Sequence, residues 1–505
     1  MKSARIPAGP APAGTAVASP AAPRWHQASL DGLRAAAAGA VLLTHVGGLT
    51  GYTVTGTPVS WVLSRGDVGV PIFFALSGLL LYRPWAAAAL TGQQTVPLGT
   101  YLRRRALRIL PAYWAVVTVA LLWLNAPDAR HIWPWVQYLL LIQNYDAHPW
   151  WQGTGAIGLA QAWSLVVEVS FYLVLPLIAA VLTWAASRGG PPGPPDVARR
   201  ARRLLAMLAV LGASSFGFAV LTQHPRATLW FERTLPPLMI WFCAGMAIAV
   251  LLAWASAEEQ AAPARREASG PASRLRQTVA ASAGMGALIA GCAFAMACTP
   301  LTGPEFAGVP SIWATEFKTA LYALIALAIV APAACQPTGP GATRPGLAAR
   351  ALSSRPGRFL GKISYGAFLW QFLAAFAFFR VLGLKMATEG GHYTVIEVAL
   401  IGVAIAAATI AAATASYYLI EMPAQRLGRY WRRSSATRRA TMRRPRIWGI
   451  PLISHRAAGL PGVPAASRAP IRAQPEAASS RAGSSHGPDS HAPALGHQPD
   501  GAAGP

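Results

Sequence analysis

Ten apolar stretches, each long enough to cross a bilayer, constrain this 505-residue chain more than any other feature. A hydrocarbon core takes roughly 17–25 helical residues per crossing, and only helices or closed barrels satisfy their backbone groups inside it. The stretches lie near 30–52, 68–90, 109–125, 163–186, 204–222, 235–256, 278–298, 312–334, 363–383 and 394–420. With 54% hydrophobic and only 12% charged residues, the chain belongs with polytopic membrane proteins rather than soluble ones. The fold class expected is all-α: a polytopic bundle of about ten transmembrane helices.

Loop charges orient the bundle. The loops at 91–108, 187–203, 257–277 and 335–362 carry 18 Lys+Arg together, whereas those at 53–67, 126–162, 223–234, 299–311 and 384–393 carry 5. By the positive-inside rule both termini are cytoplasmic, in a bacterial-type plasma membrane. The net charge of +25 sits between apolar segments, so it is read as topology and not as a nucleic-acid surface. The stretch Ile132–Tyr145 is short, and counting it as a span would invert every later loop. It is expected to be a re-entrant or interfacial helix on the outer face, with Trp133 and Trp135 as interfacial anchors or, on a sharper reading, as sugar-stacking rings.

The expected organisation is a disordered N-terminal segment at 1–24, a membrane domain at 25–430, and a basic, then low-complexity, disordered cytoplasmic tail at 431–505. Residues 1–29 lack an apolar core followed by a small-residue cleavage site, so no cleavable leader is expected. Cys243, Cys292, Cys298 and Cys335 form no CxxC pair and read as structural thiols. The histidines of the tail lack ligand spacing, and no metal site is expected.

Ionisable groups within the spans are the functional candidates, because such a side chain costs about 3 kcal/mol or more in a bilayer. Arg34, in Leu30-Asp31-Gly32-Leu33-Arg34, and His45 lie eleven residues apart on one helix. Eleven residues are almost three turns, so the two share a face, roughly 16 Å apart along the axis. Arg105 and Arg108, three apart, are neighbours on another helix and form guanidinium forks suited to phosphate. Their bland alternative is anchoring on anionic headgroups, the reading preferred for Arg103 and Arg104. Glu168, early in its span, is expected at the depth of His45, where it orients the ring or holds its proton. A buried neutral imidazole serves as a general base, or else simply packs. Ser77 and Gly78 read as small residues for helix packing. Glu316, Lys318, Gln371 and Glu397 receive no role from sequence.

In order along the chain, LDGLRAAAAGAVLLTH at 30–45, GVPIFFALSGLLLYRPW at 69–85, YLRRRALRILPAYW at 101–114, WSLVVEVSFYLVLPL at 163–177, LGKISYGAFLWQF at 360–372 and SYYLIEMP at 416–423 resemble the acyltransferase 3 family of integral-membrane O-acyltransferases. The resemblance covers roughly residues 25–430. It implies about ten membrane helices and transfer of an acyl group, usually acetyl, from cytoplasmic acyl-CoA as co-substrate. The acceptor it implies is a hydroxyl of a carbohydrate, glycolipid or secondary metabolite. On this resemblance the family's helix-1 Arg and His fall on Arg34 and His45, its Arg-x-x-Arg pair on Arg105 and Arg108, and the Glu of its Trp-Ser-Leu segment on Glu168. Catalysis is thus expected of His45 and Glu168, and donor binding of Arg34, Arg105 and Arg108. The pattern departs at Val169 and Ser170, where many relatives carry a Glu and a Gln. The rival reading, from a different class, is a proton-coupled transporter or lipid-carrier flippase, which buried Arg, His and Glu also suit.

Overall fold

The computed structural model describes residues 28–151, 153–189, 195–223, 233–261, 270–303, 311–336 and 347–428. The segments expected to be disordered, 1–24 and 431–505, lie outside the described residues. Within the described residues the chain forms helices and no strands. In chain order the helices are α1 (Ala28–Leu49), α2 (Pro58–Ser64), α3 (Gly69–Thr91), α4 (Leu98–Leu124), α5 (Ile132–Leu139), α6 (Ala162–Ser187), α7 (Val197–Gln223) and α8 (Leu235–Ala261). They continue with α9 (Pro271–Ala281), α10 (Ala283–Ala297), α11 (Ile312–Cys335), α12 (Leu347–Leu352), α13 (Arg355–Leu382) and α14 (Val395–Ser416), which runs into a π-helical turn at Tyr417–Glu421.

Among the described residues, nine helical segments are long and apolar enough to cross a membrane, and a tenth arises if the bent pair α9–α10 is one crossing. That pair covers the seventh expected span, 278–298, and corrects its form: the two helices meet at 66°. Before the break, α9 carries Arg274 and Arg276, which suit it poorly to the hydrocarbon core. Its first turn is instead held by polar contacts, with the Ala272 and Ser273 amides donating to the Glu258 carboxylate and Arg276 pairing with Glu259 at 2.7 Å. Ile132–Tyr145 contains only the eight-residue α5, too short to cross. Its Trp135 Nε1 donates to the Ala129 carbonyl, while Trp133 is exposed.

Bundle packing depends on close backbone approach. α3 packs most extensively on α8, where a Cβ at Gly78 would collide with the Phe242 carbonyl and one at Gly245 with the Ala75 carbonyl. Small residues at a crossing let two membrane helices meet at backbone distance. α1 lies against α13 and α3, and α13 against α14, so α1 and α13 run through the molecule side by side. Arg65, counted above as a loop charge, is in fact 2% exposed. Its guanidinium donates to the carbonyls of Ala297 and Gly303, both at 2.8 Å, and so ties the end of α10 to the entry of α3. The four cysteines are free thiols, with Cys243 and Cys335 buried.

Candidate active site

Arg34 lies two turns into α1, and its Nη1 is 3.5 Å from Asp31 Oδ1, one turn earlier on the same face. Arg105 and Arg108 share a face of α4 just before Pro111, whose ring removes one helical hydrogen bond at that point. Glu168 comes from α6. Its Oε1 accepts from Ser77 Oγ of α3 at 2.5 Å and from the Tyr172 hydroxyl, one turn further along α6, at 2.6 Å. Tyrosines fix the frame: Tyr101 of α4 donates to the Tyr172 carbonyl at 3.1 Å, and Tyr365 of α13 to the Ile109 carbonyl at 2.9 Å.

These side chains line a cavity whose remaining wall includes Val70, Phe73, Leu165 and Phe368. Three guanidiniums, those of Arg34, Arg105 and Arg108, face one carboxylate, that of Glu168. A surplus of cations in an apolar enclosure is costly unless an anion joins them. Arg105 Nε is buried and has no hydrogen-bond partner, so part of its donor capacity is unspent.

A second cavity shares Arg34, Leu80, Arg108 and Tyr365 with the first. It adds Asp31, Arg83, Lys362 and Glu421. These residues come from the start of α1, the end of α3, the start of α13 and the π-helical turn after α14, which gather at one end of the bundle. Glu421 is 3% exposed, and its Oε1 has no partner. π-turns recur at functional sites because the extra residue turns a side chain inward.

His45 lies elsewhere, four residues before the end of α1. Its ring packs on Phe372 of α13 with centroids 4.4 Å apart, beside the Gln371 side chain. Nδ1 is buried without a hydrogen-bond partner, whereas the half-buried ring keeps its Nε2 edge open. The charged side chain whose field reaches the ring is Asp67, itself paired with Lys318 Nζ at 2.7 Å and accepting from the Tyr322 hydroxyl.

Four of the five expected site residues therefore line one cavity, and His45 does not line it. The expectation that Glu168 lies at the depth of His45 is corrected. Counting residues along α6 gives a depth on that helix alone. The carboxylate turns toward its hydrogen-bond donors Ser77 and Tyr172 and the guanidiniums that offset its charge. Ser77, read as a packing residue, is one of those donors, while its neighbour Gly78 does serve packing. Tyr172 was recoverable from sequence, since it follows Glu168 by one turn; nothing in the sequence points from Ser77 to Glu168. The two regions are joined along α13, where Ser364 and Phe368 line the cavity and Gln371 and Phe372, about one turn on, meet His45. Among the described residues, no group of three His, Cys, Asp or Glu is arranged to hold a metal ion.

The family model described as an acyltransferase domain, that of the acyltransferase 3 family, matches residues 27–418, and the chain belongs to that family. Its nine described helices that are long and apolar enough to cross a membrane fit a multi-pass membrane protein of that family. A relative, the acyltransferase MdmB of Streptomyces mycarofaciens, is 28% identical over 236 residues. That match spans 44% of this chain and 57% of the relative. No solved structure matches the chain.

Proposed function

We propose that the protein is an acyl-CoA-dependent O-acyltransferase of the plasma membrane, taking acetyl-CoA as donor and a hydroxyl of a glycan, glycolipid or secondary metabolite as acceptor. The observation that carries this reading is the cavity in which Arg34, Arg105 and Arg108 converge on a single carboxylate. Coenzyme A supplies the missing anion through its phosphates, and planar guanidiniums bind phosphate through paired hydrogen bonds. Glu168, held by Ser77 and Tyr172, keeps the guanidiniums apart and partly neutralised while the site is empty.

With the phosphates held there, the thioester arm runs along the Ser364–Phe368 face of α13 toward His45. The Nε2 edge of His45 takes the proton of the acceptor hydroxyl as its oxygen attacks the thioester carbonyl. The carbon–sulfur bond then breaks, and the imidazolium returns the proton to the leaving thiolate. Ester and free thiol form with no net proton change.

The direct test is acceptor-dependent release of free thiol from acetyl-CoA by purified protein in nanodiscs, with the ester identified by mass spectrometry. No thiol release with any hydroxyl acceptor, together with no binding of acyl-CoA, rejects the reading. Orientation has its own check in intact cells: an impermeant thiol reagent should label a cysteine at Asp128 and spare one at Gly92.

A further inference from the structure

Gln371 is a polar side chain in the middle of an apolar helix and is 2% exposed. Its two amide atoms are used unequally. Nε2 donates to the Phe368 carbonyl at 3.0 Å, one turn back on α13, whereas Oε1 is buried and has no partner. His45 Nδ1, next to it, is also a buried polar atom without a partner. Buried polar groups in native proteins are almost always satisfied, so two adjacent orphans, one able to donate and one able to accept, call for a common explanation. The anchor on Phe368 also fixes which end of the carboxamide meets the ring, since the nitrogen is already spent.

We propose that Gln371 is the positioning residue of His45: its Oε1 accepts a hydrogen bond from Nδ1–H, which leaves Nε2 as the unprotonated, outward-facing base. This rests on the reading of His45 as the base. In a neutral imidazole one nitrogen carries the proton and the other accepts it, and the hydrogen bond made by the first decides which is which. Phe372 fixes the plane of the ring and Gln371 its tautomer. A carboxamide does this without adding a charge to the apolar interior, where a carboxylate would need a cation of its own. The carboxylate nearest in its field, Asp67, already has Lys318 and Tyr322 as partners.

The test compares Gln371→Met, Gln371→Asn and Gln371→Glu, each scored on protein that still binds acetyl-CoA. Met removes both polar atoms, and Asn draws the oxygen away from the ring. Glu keeps the oxygen but loses the Nε2 anchor. The expected result is a fall in kcat of roughly 10- to 100-fold for Met and Asn, the range typical of outer-shell partners, with KM for acetyl-CoA unchanged. Glu, which keeps the accepting oxygen but brings a carboxyl without a cation into the apolar interior, should recover part of that loss, and Gln371→Met should cost nothing further in a His45→Gln background. Full kcat in Gln371→Met, a loss confined to KM, a Glu variant as poor as Met, or an added loss in the double variant overturns the positioning role. Normal turnover in His45→Gln alone overturns the base assignment and the positioning role together; an inactive His45→Gln beside a fully active Gln371→Met overturns only the latter.

Discussion

Around Arg34 the cations outnumber the carboxylates, cavities open, and charged groups arrive from six helical elements. Around His45 the surroundings are an aromatic ring, one carboxamide and the packed C-terminal half of α1 against α13 and α14. The first region has the charge balance of a receptor for an anion, because cations in excess of their carboxylate partners in an apolar wall gain from an incoming negative charge. The second is built to keep one imidazole neutral and oriented. On the proposed function, binding and proton chemistry fall in different regions of the bundle, and a substitution in one should leave the other's readout intact.

The sharpest break comes from His45→Gln, which keeps a polar group but no base. Turnover should fall by roughly 10²–10⁴, the usual contribution of general-base catalysis, with acetyl-CoA binding by calorimetry unchanged. Loss of donor binding in this variant would merge the two regions. Next comes the converse, Arg105→Ala/Arg108→Ala. Donor affinity should drop by about 1–3 kcal/mol for each charged hydrogen bond lost, while the protein inserts normally. Arg105→Lys, which keeps charge without the fork, should fall between this variant and wild type. Ser77→Ala should have a smaller effect: Glu168 keeps Tyr172 as donor, so about 1 kcal/mol of donor affinity or stability is at stake. Smallest is Arg103→Ala, for which a change in KM within about twofold is expected, as for charges that only meet headgroups. A large effect there would move the anion site outward along α4.

Much of this division was legible in the sequence. The apolar stretches locate the described spans, and the Arg34–His45 spacing already separates the two regions on one helix. What escaped was whatever depends on how helices meet. The depth of Glu168 could not be transferred from α6 to α1, because helix tilt and stagger are set by crossings such as Gly78–Phe242 and Gly245–Ala75. The bend between α9 and α10 was hidden because hydropathy averages across a break at Ser282 that no Gly or Pro marks. Gln371 carried no sequence signal, since its meaning comes from the Phe368 carbonyl on one side and an imidazole from a distant segment on the other.

α1 carries an arginine of the anion site and the imidazole on a single uninterrupted helix, and α13 spans the same interval beside it. Helical rise is nearly incompressible, so the pair acts as a gauge block: the interval of roughly 16 Å cannot shrink to suit a shorter donor. Whatever is gripped at Arg34 meets His45 only if its arm is long enough. If the donor proposed above binds there, chain length between phosphate and thioester becomes a criterion of selection, imposed by the backbone itself and independent of any contact to the acyl group.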